Sequence, residues 1–204
     1  MRTMIRNPFV AAAPVLAVLL MGFSLVSTSA DRDATAEELP TITMPAVEVK
    51  AMPEFNTEQV TDDVLWLARA IYSETKRSEE QELVAWTIRN RVETNYRRKR
   101  TYEATVLDPW QYSAFNAGSP KRHHYSSLAP TSTARGFQSA LRIAYGVYHA
   151  APTARPFPLT TRHFYSERSM VGGRTPKWAR GKRPVRLVGR DIDPRRFRFF
   201  AAIA

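Results

Sequence analysis

The chain contains no cysteine. Disulfide stapling, thiolate catalysis and Cys-based metal sites are therefore excluded, and any fold must be held by its apolar core. Glycine is scarce, at eight residues, and nowhere gathers into a loop that would cradle phosphate. No H-E-x-x-H or comparable spacing links His123, His124, His149 and His163. Neither a metal site nor a cofactor is expected on that ground. Acidic residues nearly vanish from the second half. Residues 109–204 carry 17 Lys and Arg against 3 Asp and Glu, whereas residues 31–108 carry 11 against 16. Candidate catalytic carboxylates thus lie mainly in the first half, and a cationic surface suited to an acidic partner in the second.

Long apolar runs are missing as well, with one exception. Arg2 and Arg6 precede an apolar stretch from Phe9 to Val26, and Thr28-Ser29-Ala30 follows with small residues. Residues 1–30 read as a signal peptide or, because the run approaches the length of a bilayer span, as a retained membrane anchor. Either reading places the protein in the periplasm or outside the cell. Residues 31–56, acidic and punctuated by Pro40, Pro45 and Pro53, read as a disordered linker. Residues 57–204 are then one domain of ordinary size.

Helical signals dominate its start. Thr61-Asp62-Asp63 offers a cap and early negative charge, and Val64, Leu67, Ala68 and Ile71 fall on one stripe. Glu74 follows that stripe at three residues from Ile71, so it projects from the apolar face or just beyond its last turn. A carboxyl placed among apolar groups keeps its proton towards neutral pH, which is the property of a general acid. Ser78-Glu79-Glu80-Gln81 has the form of a capping box. The helix it opens carries Leu83, Val84, Thr87, Ile88 and Val92 to about Thr94. Phe137, Ala140, Leu141, Ala144 and Tyr148 predict a further helix between Arg135 and His149, and the alternating Arg196–Phe200 segment predicts extended chain late in the domain. Arg97-Arg98-Lys99-Arg100 reads as a solvated helix end.

Two segments together carry a resemblance. Leu67-Ala68-Arg69-Ala70-Ile71-Tyr72-Ser73-Glu74, followed by Glu82 to Val92 with its closing Asn90-Arg91-Val92, resembles the SleB/CwlJ-type cell wall hydrolases, a family named for spore cortex-lytic enzymes. Weaker marks follow in Tyr102–Leu107, Pro109-Trp110-Gln111-Tyr112-Ser113, His163-Phe164-Tyr165 and Pro176-Lys177-Trp178. The chain departs from the family's pattern at Ser73-Glu74-Thr75-Lys76-Arg77, at Gly189–Asp193 and in the added Lys121–Tyr125.

The resemblance implies a mainly α (α+β), lysozyme-like catalytic domain with a few short strands. It also implies a peptidoglycan glycosidase that cleaves between N-acetylmuramic acid and N-acetylglucosamine, with Glu74 as the catalytic acid. Gln111 and Ser113 are candidates to bind the sugar amides, and Tyr112, Tyr165 and Trp178 to stack on sugar faces. A hydrolase uses a second carboxylate, for which Glu103 and Asp108 are candidates. Lytic transglycosylation needs one glutamate and is the favoured chemistry. The expected partner is peptidoglycan and not nucleic acid. The alternatives are a non-catalytic peptidoglycan-binding module of the same fold or, on charge alone, a basic nucleic-acid-binding protein.

Overall fold

A computed structural model of the protein describes residues 55–190 and 192–203. The expected leader and nearly all of the expected linker lie outside the described residues. Within them the domain is mainly helical, with one small sheet. Helices α1 (Asp62–Glu74), α2 (Ser78–Glu93), α3 (Tyr102–Val106), α4 (Arg122–Ser126) and α5 (Phe137–His149) precede strands β1 (Thr161–Tyr165) and β2 (Arg198–Ala201). No helix among the described residues is long and apolar enough to cross a membrane.

α1 begins where its cap predicts: the Thr61 hydroxyl accepts from the Val64 amide at 3.4 Å, and Asp62 and Asp63 occupy the first turn. Its expected stripe is fully buried, with Val64, Leu67, Ala68 and Ile71 all at 0 % exposure. Leu65, Ala70 and Tyr72 are buried too, because α2, α3, α4 and α5 all pack on this helix. In α5, Phe137, Ala140, Leu141 and Ala144 are buried as expected, while Tyr148 stays half-buried and Tyr145 and Val147 complete the face.

α2 differs from its sequence pattern. Every residue from Leu83 to Arg91 is buried, polar ones included, so the helix is wrapped rather than half-exposed. Its last turn is a connector. The Arg89 guanidinium donates to the carbonyls of Val147 and Ala150, at 2.6 and 2.8 Å. Asn90 donates to those of Pro158 and Thr161, and Arg91 to that of Arg162 at 2.6 Å. These carbonyls belong to the last turn of α5, to loops and to β1, and buried side-chain donors satisfy them. The expected capping box does not form. Arg77 stands at the cap position without a side-chain bond, and the Gln81 amide turns back to the Thr75 carbonyl at 2.8 Å.

The sheet is a single antiparallel pair, registered Phe164 to Phe199 and Tyr165 to Arg198, with an irregularity between Thr161 and His163. Because strand side chains alternate, its two faces serve two clusters. Phe164 and Phe199 join the main core, while Tyr165 and Phe200 form a second cluster with Ala179 and Ile203.

Candidate active site around Glu74

Glu74 is the last residue of α1, at the helix's negative end, where the carbonyls lack intrahelical partners. It is half-buried. Burial raises its pKa to about 7, against the opposing pull of Arg91, and no side-chain hydrogen bond to its carboxyl contributes. The carboxyl thus shares its protonated and ionised forms near neutrality, as a group that first gives and then takes a proton requires.

The wall around it comes from three elements. Arg91, 4 % exposed on the last turns of α2, donates to the Tyr112 hydroxyl at 2.8 Å and packs over the Tyr112 ring at 5.3 Å. Burial, offset by Arg91 and reinforced by the charge of Glu74, pushes the Tyr112 hydroxyl up to about 12. Tyr112 therefore stays a neutral phenol. Tyr125, from α4, is half-buried, and its pKa is raised by burial and by the nearby Tyr72 and Glu74. Its ring meets Tyr72 at 5.9 Å and Phe115 at 6.2 Å. At the rim, the Lys76 ammonium sits against the Tyr72 ring and donates to the Tyr72 carbonyl. Burial and the neighbouring Lys121 pull its pKa down to about 8.

The turn that follows Glu74 is held firmly. The Thr75 amide donates to Ile71 at 3.1 Å, and its hydroxyl donates to Glu80 at 2.5 Å. Glu80, only 2 % exposed, accepts from Arg196 through both carboxylate oxygens at 2.5 and 3.0 Å. Burial would raise the Glu80 pKa, but hydrogen bonds from Arg196 and Thr75 outweigh it and hold this carboxylate below its ordinary range. A hollow of about 280 Å³ opens beside the turn, lined by Arg77, Ser78, Glu79, Glu80, Ile192 and Asp193; Glu74 does not line it.

The other expected site residues divide. Gln111 is half-buried and Ser113 exposed, both flanking Tyr112 on the turn after Pro109. Tyr112 itself is 1 % exposed, so its ring offers no face to a sugar; it backs the wall behind Glu74 instead. Its neighbour Trp110, at positive φ of 67°, is 84 % exposed and was not singled out by pattern. Tyr165 is 7 % exposed, stacked on Phe200 at 5.7 Å and set edge-on to Trp178 at 5.8 Å. The half-buried Trp178 also lies 5.2 Å from the His163 ring. No aromatic pairing joins Tyr165 or Trp178 to Tyr112, Tyr125 or Tyr72 among the described residues. These two aromatics belong to the second cluster.

Glu103 is exposed on α3, where its charge acts on Arg69. Asp108 is 7 % exposed and occupied by Arg97 at 2.5 Å and Lys99 at 3.9 Å. The basic cluster after α2 is thus partly a partner for this aspartate and not only a solvated end. His163 donates to or accepts from the Tyr96 hydroxyl at 2.9 Å, and burial with the nearby Arg91 and Arg162 pulls its pKa down to about 4. It is a neutral imidazole. No group of three or more His, Cys, Asp or Glu among the described residues is arranged to hold a metal ion.

Arg91 and Tyr125 were not among the site candidates that the sequence offered. Arg91 had a signal, since a cation stood three residues beyond Ile88 on a core-facing stripe. Tyr125 had none, because its segment read as an addition. No family model, curated protein or solved structure matches this chain.

Proposed function

We propose that the protein is an exported, lysozyme-like enzyme that cleaves peptidoglycan glycan strands by lytic transglycosylation, with Glu74 as acid and then base. The observation that carries this reading is the isolation of Glu74. Arg91 opposes the burial that raises the Glu74 pKa, and Asp108, the carboxylate that shares the Tyr112 hydroxyl with Glu74, is itself held by Arg97 and Lys99. A hydrolase needs a second carboxylate or a positioned water to intercept the sugar cation; a single glutamate suffices when the sugar's own hydroxyl does so.

The chemistry follows from that geometry. Protonated Glu74 donates to the glycosidic oxygen as the bond from the N-acetylmuramic acid anomeric carbon breaks. The anomeric centre becomes oxocarbenium-like, and Glu74 becomes a carboxylate that the Arg91 guanidinium stabilises. That carboxylate then takes the proton from the sugar's own 6-hydroxyl as its oxygen attacks the anomeric carbon. An anhydro ring closes, no water is consumed, and Glu74 regains its proton. In this reading Gln111 and Ser113, on either side of Tyr112, meet the substrate's acetamido groups, and the half-buried Trp178 offers an edge for a sugar ring. The cationic surface of the second half suits the peptide carboxylates of the wall.

The test is mass analysis of the glycan ends released from a purified wall suspension by the purified protein. Transglycosylation leaves anhydro ends, lighter than reducing ends by the mass of one water. Reducing ends throughout would replace this chemistry with hydrolysis. No release of glycan fragments, with binding to the walls retained, would favour the non-catalytic wall-binding module.

A further inference from the structure

A terminal helical residue is poorly placed for catalysis unless something fixes the chain after it, because helix ends fray. Glu74 stands at such an end, and the residue that follows it has every polar group engaged. The Thr75 amide bonds to Ile71, its carbonyl accepts from Gln81 at 2.8 Å, and its hydroxyl bonds to Glu80 at 2.5 Å while accepting from the Arg77 amide at 3.3 Å. Glu80 is itself buried and gripped by Arg196, which lies 116 residues further along and two residues before β2.

We infer that Glu80 is a positioning residue for Glu74: clamped by Arg196, it locks Thr75 and thereby fixes the carboxyl at the end of α1 relative to the sheet. The inference rests on Glu74 being the acid. A buried ion pair contributes little net stability compared with an apolar replacement, so its placement here is better explained by the geometry it imposes than by the energy it adds. The same helix carries a ready comparison. Glu82 accepts from Arg190 through both oxygens at 2.6 and 2.8 Å, yet it makes no bond to the α1–α2 turn.

The experiment compares Glu80→Gln, Thr75→Val, Thr75→Ser and Glu82→Gln in the full chain, reading wall-clearing rate, binding to insoluble walls and thermal midpoint. Displacing a reacting group by about 1 Å costs on the order of 100-fold in rate. Glu80→Gln is expected to lose roughly 10- to 100-fold in rate with wall binding unchanged, and Thr75→Val about 10-fold. Thr75→Ser, which keeps the hydroxyl, is expected to restore the rate to within about 2-fold. Glu82→Gln is expected to lower the midpoint while the rate stays within about 2-fold of wild type. The clamp is overturned if folded Glu80→Gln and Thr75→Val both clear walls at the wild-type rate. It is equally overturned if Glu82→Gln, at matched loss of thermal midpoint, loses as much rate as Glu80→Gln. Should Glu80→Gln fail to fold, the Val and Ser variants at Thr75 decide. Retained activity in Glu74→Gln would refute the catalytic reading itself, whereas an inactive Glu74→Gln beside a fully active Thr75→Val would refute the clamp alone.

Discussion

Two glutamates six residues apart, at the end of α1 and the start of α2, meet the protein interior in opposite ways. Glu80 is closed off from solvent, yet its carboxylate is held below the ordinary range, because Arg196 and Thr75 hydrogen-bond it. Glu74 has no such donors, and burial raises its pKa to about 7 against the pull of Arg91. Burial alone therefore does not set protonation; the partners supplied to the charged form do. One turn of chain thus holds an ion-paired carboxylate beside one that keeps its proton to about pH 7.

The largest effect is expected where that contrast is removed. Glu74→Gln keeps the size of the side chain and abolishes the transferable proton, so wall clearing should fall by at least about 100-fold with binding intact. Its stability should move the other way. The folded state holds the Glu74 proton more tightly than the unfolded chain does, so wild type loses stability as pH rises from about 4 to 7. At pH 8 the Gln variant should be the more stable, by on the order of 1–3 kcal/mol, and the gap should close below about pH 4. Denaturant melts of both proteins across that range check the sign; a gap that widens in acid would break the comparison.

The smallest effects belong to the remaining carboxylates. Asp108→Asn loses the ion pair with the half-exposed Arg97 and should cost about 1 kcal/mol of stability, with most activity retained. Glu103→Gln, on an exposed face, should stay within about 0.5 kcal/mol and near full activity. If folded Asp108→Asn were as inactive as Glu74→Gln, a two-carboxylate hydrolase would replace the single-glutamate account.

How far the sequence foretold this arrangement depended on the range of the contacts involved. α1 was legible because its cap and its stripe are local: Thr61 reaches Val64, and the Val64–Ile71 face repeats at helical spacing. The all-round burial of α2 was not legible, since Arg89, Asn90 and Arg91 are satisfied by carbonyls 58 to 71 residues away. The capping box lost to two competitors, one near and one distant. Its Gln81 was recruited by Thr75, and the neighbouring Glu80 by Arg196, in preference to the local pairing that the spacing offered. Among the site residues, the place of Glu74 at the close of an apolar stripe could be read directly. The burial of Tyr112 and Tyr165 could not, because an aromatic ring suits a groove and a core equally well.

The pH dependence of wall clearing joins geometry to function most directly. With Glu74 titrating near 7, the wild-type rate, measured at constant ionic strength from pH 4 to 9, should fall as pH rises through about 7. Arg91 favours the ionised form of Glu74, so Arg91→Met should move that descent to higher pH, while Arg91→Lys, which keeps the charge, should leave it near its wild-type position. A rate that holds level from pH 6 to 9, or one that has already collapsed by about pH 5, would contradict the assignment of Glu74 as the protonated acid.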